Sequence, residues 1–162
     1  MTAKELLNIT ANEMVEKIKT HNGLYQFAIE RSKFEGWLKV ELIDTLLKNK
    51  NHAKPEINRI DIKFKNAAIE LKTINTNYKF DNVKNKRIPI TKNINGVLKD
   101  ISDLKGKEIE NKFVVFIVFP VTEENPKWRV HINKVEKELS ELTFKKFNFK
   151  DKIPALIYYG KI

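Results

Sequence analysis

The stretch KFVVFIVFPV, residues 112 to 121, has no polar side chain after its first residue. It is short, β-branched and aromatic, and it lacks the polar alternation of a half-exposed strand. Such a segment reads as a strand buried on both faces. A chain that contains one needs a sheet to pair with it and helices to cover it. The remaining periodicities are those of such elements.

Thr10 and Glu13 form a capping box ahead of Met14, Val15 and Ile18, and Asn22-Gly23 stops this short first helix. The following LYQFAIE has no decisive period. Ser32 and Glu35 form a second capping box, and Phe34, Leu38, Leu42 and Leu46 recur at helical spacing, which predicts a helix over 33–48. Thr91 caps a third helix, with Ile94, Val97, Leu98, Ile101 and Leu104 on one face and Gly106 at its end. KWRVHINKVEKELSEL gives a fourth helix and ALIYYG a last strand.

Past a polar, proline-marked connection, NKNHAKPEIN, the period changes to two. Ile60, Ile62 and Phe64 alternate with Asp61, Lys63 and Lys65, and Ile69 and Leu71 alternate with Ala68, Glu70 and Lys72. This predicts a hairpin. With its turn centred on Asn66-Ala67, Asp61 faces Lys72, Lys63 faces Glu70 and Phe64 faces Ile69. The charged residues then share one face, while Ile62, Phe64, Ile69 and Leu71 hold the other on the core. Together these elements describe an α/β (α+β) chain: a single domain over 1–162 with a mixed central β-sheet flanked by helices.

Composition narrows the function. Cysteine is absent, which removes thiolate metal sites and disulfides and suggests a reducing, cytoplasmic setting. The polar start MTAKELLNIT carries no secretory apolar stretch, and no segment approaches the roughly 18 apolar residues of a membrane helix, so no membrane partner is expected. The three histidines make no HxH or HxxxH pair, which argues against zinc, and His131 beside Trp128 reads as a packed structural residue. No nucleophile-elbow, Walker or Rossmann glycine pattern occurs, so no small-molecule cofactor is expected. A net charge of +10, with a pI near 9.6, favours a polyanionic partner.

Two carboxylates a few ångströms apart repel, and they stay ionised together when a cation lies between them. Oxygen donors without Cys or His suit a hard ion such as Mg²⁺, with Mn²⁺ as a substitute. Asp61 and Glu70 are the candidate ligands. Lys72, two residues past the second acid, would stand beside a metal-bound water as general base or as a positive charge on the phosphorane. The same residues also read as cross-strand ion pairs, Asp61 with Lys72 and Lys63 with Glu70, each contributing a few tenths to about 1 kcal/mol.

FEGWLKVELIDTLL, NRIDIKF, AAIELKT, ITKNINGVLKDISDL and KFVVFIVFPV follow one another as acid-bearing helix, Asp strand, Glu-x-Lys strand, helix and apolar strand. That order resembles the PD-(D/E)XK, or restriction-endonuclease-like, nuclease superfamily over roughly residues 32–120. Residues 1–31 would be an N-terminal helical extension, and 121–162 a C-terminal helix and strand. The proline that often precedes the family's aspartate is replaced by Ile60. The resemblance implies Mg²⁺-dependent endonucleolytic hydrolysis of DNA, with the Leu71 carbonyl joining Asp61 and Glu70 on the metal, in restriction, defence or repair. It also implies a helix acid, Glu41 or Glu35, with Glu41 favoured because Glu35 has a capping role available. Many such nucleases act as homodimers. The stretch NTNYKFDNVKNKRIP, about 76–89, supplies Tyr78, Lys79, Lys84, Lys86 and Arg87 as candidate DNA contacts, joined by Lys92 at the start of the third helix. The alternative is a non-catalytic DNA-binding or assembly module that keeps this fold.

Overall fold

The computed structural model describes residues 1–86 and 88–162. In chain order the elements are α1 (Ala3–Lys19), α2 (Asn22–Ile29), α3 (Glu35–Lys48), β1 (Ala53–Ile57), β2 (Ile60–Phe64) and β3 (Ala67–Asn75). Then follow α4 (Ile90–Lys105), β4 (Asn111–Phe119), α5 (Pro126–Glu136), β5 (Glu141–Phe149) and β6 (Ile153–Lys161). The strands form one sheet in the order β1-β2-β3-β4-β6-β5. Its β3–β4 pair is parallel and its other pairs are antiparallel. The chain is thus a mixed α/β protein built on a single sheet.

The apolar run is the inner strand β4, with β3 on one side and β6 on the other. Phe113, Val115, Ile117 and Phe119 pack into the core beneath α1, α2 and α3. Val114, Phe116 and Val118 pack into a second core with Ile94 and Val97 of α4 and Trp128 and Ile132 of α5. Both faces are covered, which is why no polar alternation survives in this strand. Leu6, Leu7, Met14 and Ile18 of α1 are integral to the first core. No helix among the described residues is long and apolar enough to cross a membrane.

Several boundaries depart from expectation. The capping box that opens α1 is Thr2 with Glu5, not Thr10 with Glu13. Thr10 lies buried within the helix, where its hydroxyl donates to Leu6 O at 2.8 Å. LYQFAIE belongs to the helix α2, which begins at Asn22 and is capped by His21 Nδ1 accepting from Leu24 N at 3.1 Å. Phe34 stands at the α3 N-cap and Pro89 at the α4 N-cap, so neither Ser32 nor Thr91 caps its helix. The proline-marked connection contains β1, where Pro55 is tolerated because the strand lies at the sheet edge. The fourth helix ends at Glu136, and the chain returns through β5 to cover the far edge.

The hairpin turn is also displaced. Phe64 pairs with Ala67, Lys63 with Ala68 and Ile62 with Ile69, so the turn is Lys65-Asn66 rather than Asn66-Ala67. Ala67 and Ala68 are fully buried, and a turn apex there would leave that core space unfilled. The expected Asp61–Lys72 and Lys63–Glu70 pairs therefore do not form. The displacement is two residues, so Ile62, Phe64, Ile69 and Leu71 keep their shared face, while Ile60, beyond the paired stretch, packs with Ala68 and Leu104 of α4 instead. Carried one step further, the register sets Asp61 opposite Glu70.

Candidate functional site

The site lies where β2 and β3 separate. Beyond the Ile62–Ile69 pair, β3 runs on to Asn75 alongside β4, and its other edge presents backbone N–H groups. Carboxylates take them: Leu71 N donates to Asp61 Oδ2 at 2.9 Å, and Thr73 N donates to Glu35 Oε1 at 3.0 Å. An unpaired strand edge thus fixes one acid from the neighbouring strand and one from α3. Glu70 and Lys72 alternate with these anchored amides on the α4 side of β3.

The acids perturb one another. Burial, reinforced by the adjacent Asp61 and by Asp100, pushes Glu70 up to about 8 against the opposing pull of Lys72. Burial works the same way on Asp61, but the Lys39 ammonium, the Leu71 N–H and Glu70 together hold its carboxyl below the ordinary value. Asp61 is therefore the ionised partner and Glu70 the protonated one at neutral pH, as the mutual repulsion of neighbouring carboxylates requires.

A lysine stands on each side. Lys72 passes beneath α4, with Cε 3.8 Å from where a Cβ on Gly96 would lie, and its Nζ is 3.1 Å from Asp100 Oδ2. Burial disfavours the Lys72 charge, but Asp100 outweighs it and raises the lysine pKa. From α3, Lys39 Nζ lies 2.7 Å from Asp61 Oδ1 and also contacts the Glu56 carboxylate of β1. On the α4 side, Glu70 and Asp100 open onto a cleft of about 470 Å³ that Arg59, Lys99 and Lys107 also line.

Asp61, Glu70, Lys72 and the Leu71 backbone are thus brought together, and Glu35 joins them. Glu41 does not. Its Oε2 is held 2.6 Å from Lys17 Nζ of α1, and the capping role assigned to Glu35 is replaced by the contact with Thr73. The preference between the two helix acids is accordingly reversed.

The 76–86 segment is anchored rather than free. Arg31, 1% exposed, donates through Nε to Lys84 O at 2.5 Å, through Nη1 to Thr76 O at 2.6 Å and through Nη2 to Tyr78 O. Tyr78 is half-buried, packing against the α4–α5 core and lining a neighbouring cleft, and its hydroxyl is buried without a partner among the described residues. Lys79 and Lys92 are exposed, and Lys84 lies 3.4 Å from Glu30. Lys86 donates to Arg31 O at 3.3 Å, and burial together with Lys33, Arg31 and Lys84 lowers its pKa. Arg87 lies outside the described residues. Trp128 is fully buried and donates to Tyr158 Oη at 2.9 Å.

Lys39, Asp100, Glu56 and Arg31 were not singled out in the sequence. Lys39 had a usable signal, being one helical turn beyond Glu35 on the same face. Asp100 had a weaker one, adjoining Ile101 on the apolar side of α4. Among the described residues no three Asp, Glu or His side chains form a ready cation cage. Mg²⁺ itself requires only one or two carboxylates, and the all-oxygen set of Asp61, Glu70 and the Leu71 carbonyl has the right chemistry for it. The chain matches no family model, no curated protein and no solved structure.

Proposed function

We propose that this chain is a Mg²⁺-dependent nuclease of the restriction-endonuclease-like class, hydrolysing DNA phosphodiester bonds. The observation that carries the reading is the convergence of Asp61, Glu70 and Lys72 at the point where β2 leaves β3, on a sheet covered by α3 on one side and α4 on the other. Asp61, Glu70 and the Leu71 carbonyl would hold the ion, which when bound supplies Lewis acidity and an activated water. Lys72 acts as a fixed positive charge toward the phosphoryl group, because Asp100 keeps it protonated. Glu35 holds the Thr73 amide and thereby the strand that carries Glu70 and Lys72. Arg59, Lys99 and Lys107 around the cleft, with Lys33, Lys84 and Lys86 beside the anchored segment, would supply the phosphate contacts.

A second reading, a DNA-binding or assembly module without catalysis, is favoured by one observation. Asp61 and Lys72 each already have an ion partner in the chain, as a purely structural network would provide. Plasmid and single-stranded DNA incubated with the protein in Mg²⁺ or Mn²⁺, beside a Lys72→Ala control, separate the two. Cleavage that needs both metal and Lys72 supports the nuclease. DNA binding without cleavage in either metal supports the module.

A further inference from the structure

The two oxygens of Asp61 have different partners. Oδ2 is fixed by the Leu71 N–H at 2.9 Å, and Oδ1 lies 2.7 Å from Lys39 Nζ. A divalent cation approaching Asp61 and Glu70 therefore meets an ammonium already in place. The Lys39 side chain is only 19% exposed, so water screens its charge less than that of a surface lysine. It also touches a second carboxylate, that of Glu56 on the outermost strand, whose side chain is 71% exposed. Glu56 sits between the paired positions Pro55–Ile62 and Ile57–Ile60 with φ of 56°, a conformation uncommon for any residue but glycine. From there its carboxylate reaches the ammonium that Asp61 holds.

We infer that Lys39 is the resident counter-ion of the metal site, ceding Asp61 Oδ1 to an arriving divalent cation and keeping Glu56 as its partner. The inference rests on the metal-dependent reading given above. The exchange leaves every charge paired. Before it, Lys39 is shared by Asp61 and Glu56; after it, the divalent cation is matched by the Asp61 and Glu70 carboxylates, the Glu70 proton passing to solvent, and Glu56 neutralises Lys39. An ammonium stripped of both acids in a half-buried position would be costly, and the second acid removes that cost. Lys39 thus lets the acid cluster fold without metal, and it competes with the metal for Asp61.

Calorimetric titration of Mn²⁺ into the full chain tests the exchange, with thermal unfolding of each variant measured in parallel. Lys39→Met is expected to bind Mn²⁺ about five- to tenfold more tightly than wild type, the scale of one partly buried competing ion pair. Lys39→Gln, which keeps a polar head and loses the charge, should tighten binding likewise if Lys39→Met folds poorly. Glu56→Gln should weaken binding about two- to fivefold, because Lys39 is left with Asp61 alone. Asp61→Asn should abolish it. Wild-type affinity in both lysine variants and in Glu56→Gln, with binding still dependent on Asp61, overturns the counter-ion role and leaves the metal reading standing. Wild-type protein that binds no Mn²⁺, or binds it equally well after Asp61→Asn, overturns the metal reading and the counter-ion role with it.

Discussion

Leu71 N–H donates to Asp61 Oδ2 at 2.9 Å, so an acid on one arm of the hairpin is fixed by the backbone of the other. Leu71 lies between Glu70 and Lys72, and this single bond sets the Asp61 carboxylate against both of them. The site is therefore organised by main-chain geometry before any ligand arrives.

The raised Glu70 carboxyl has a pH signature. Its folded value, about 8, lies above its unfolded one, so the stability it contributes is complete below the unfolded value and is lost as pH rises through 8. Chemical denaturation followed from pH 5 to 9 should show wild type weakening with rising pH. The slope should stay below about 1.4 kcal/mol per pH unit, the single-group ceiling, because Glu70 is only half-buried. Glu70→Gln should flatten it. Asp61 acts in a separate window, its contribution being lost as pH falls through its depressed value.

Lys72 is expected to act as a cation. Lys72→Met should lower kcat for DNA cleavage by about 10²–10³-fold with little change in Mn²⁺ affinity. Asp100 supports the lysine charge, so Asp100→Asn should move the alkaline limb of the pH–rate profile to lower pH. An unmoved alkaline limb would separate Asp100 from the chemistry.

Glu35 and Glu41 should separate cleanly under mutation. Glu41→Ala removes a partly exposed ion pair with Lys17, and denaturant midpoints should report a loss of no more than about 1 kcal/mol with cleavage unchanged. Glu35→Ala removes the acceptor of the Thr73 amide, and cleavage should fall while Glu35→Gln, which retains an acceptor oxygen, recovers part of it.

Arg31 should matter for stability well beyond a surface cation. Arg31→Met leaves the carbonyls of Thr76, Tyr78 and Lys84 without their donor, and urea unfolding should register a loss of about 2–4 kcal/mol. Hydrogen exchange at the Lys84 amide, which donates to Ile29 O at 2.8 Å, should accelerate more than exchange in β4.

Much of the frame was legible where local pattern and burial agree. The unalternating apolar run is the inner strand β4, and the Phe34–Leu38–Leu42–Leu46 spacing lies on α3. The alternation over residues 62–72 assigned faces correctly even though the register was two residues out, because an even displacement preserves them, and it failed only at Ile60, where β2 has left β3. What failed were choices between equivalent local matches. Thr2-x-x-Glu5 and Thr10-x-x-Glu13 satisfy the same capping pattern, and only the place of Leu6 and Leu7 in the core decides between them. Glu35 fitted a capping box as well as it fitted the site, and the open β3 edge that claims it is a tertiary feature. Lys39, Asp100 and Glu56 meet Asp61 or Lys72 only through the packing of α3, α4 and β1, which no sequence spacing records.

The carboxylates at the β3 edge have a bearing on how this protein behaves in a crowded solution. An open strand edge with bare amides is a template for another chain's strand, and continued growth from such edges leads to fibrous aggregates. Asp61 and Glu35 occupy the Leu71 and Thr73 amides and bring negative charge to that edge. The two acids that satisfy these amides therefore also close this buried segment of β3, where Leu71 and Thr73 lie, to pairing with another chain. Variants that truncate both acids would lose solubility along with the site.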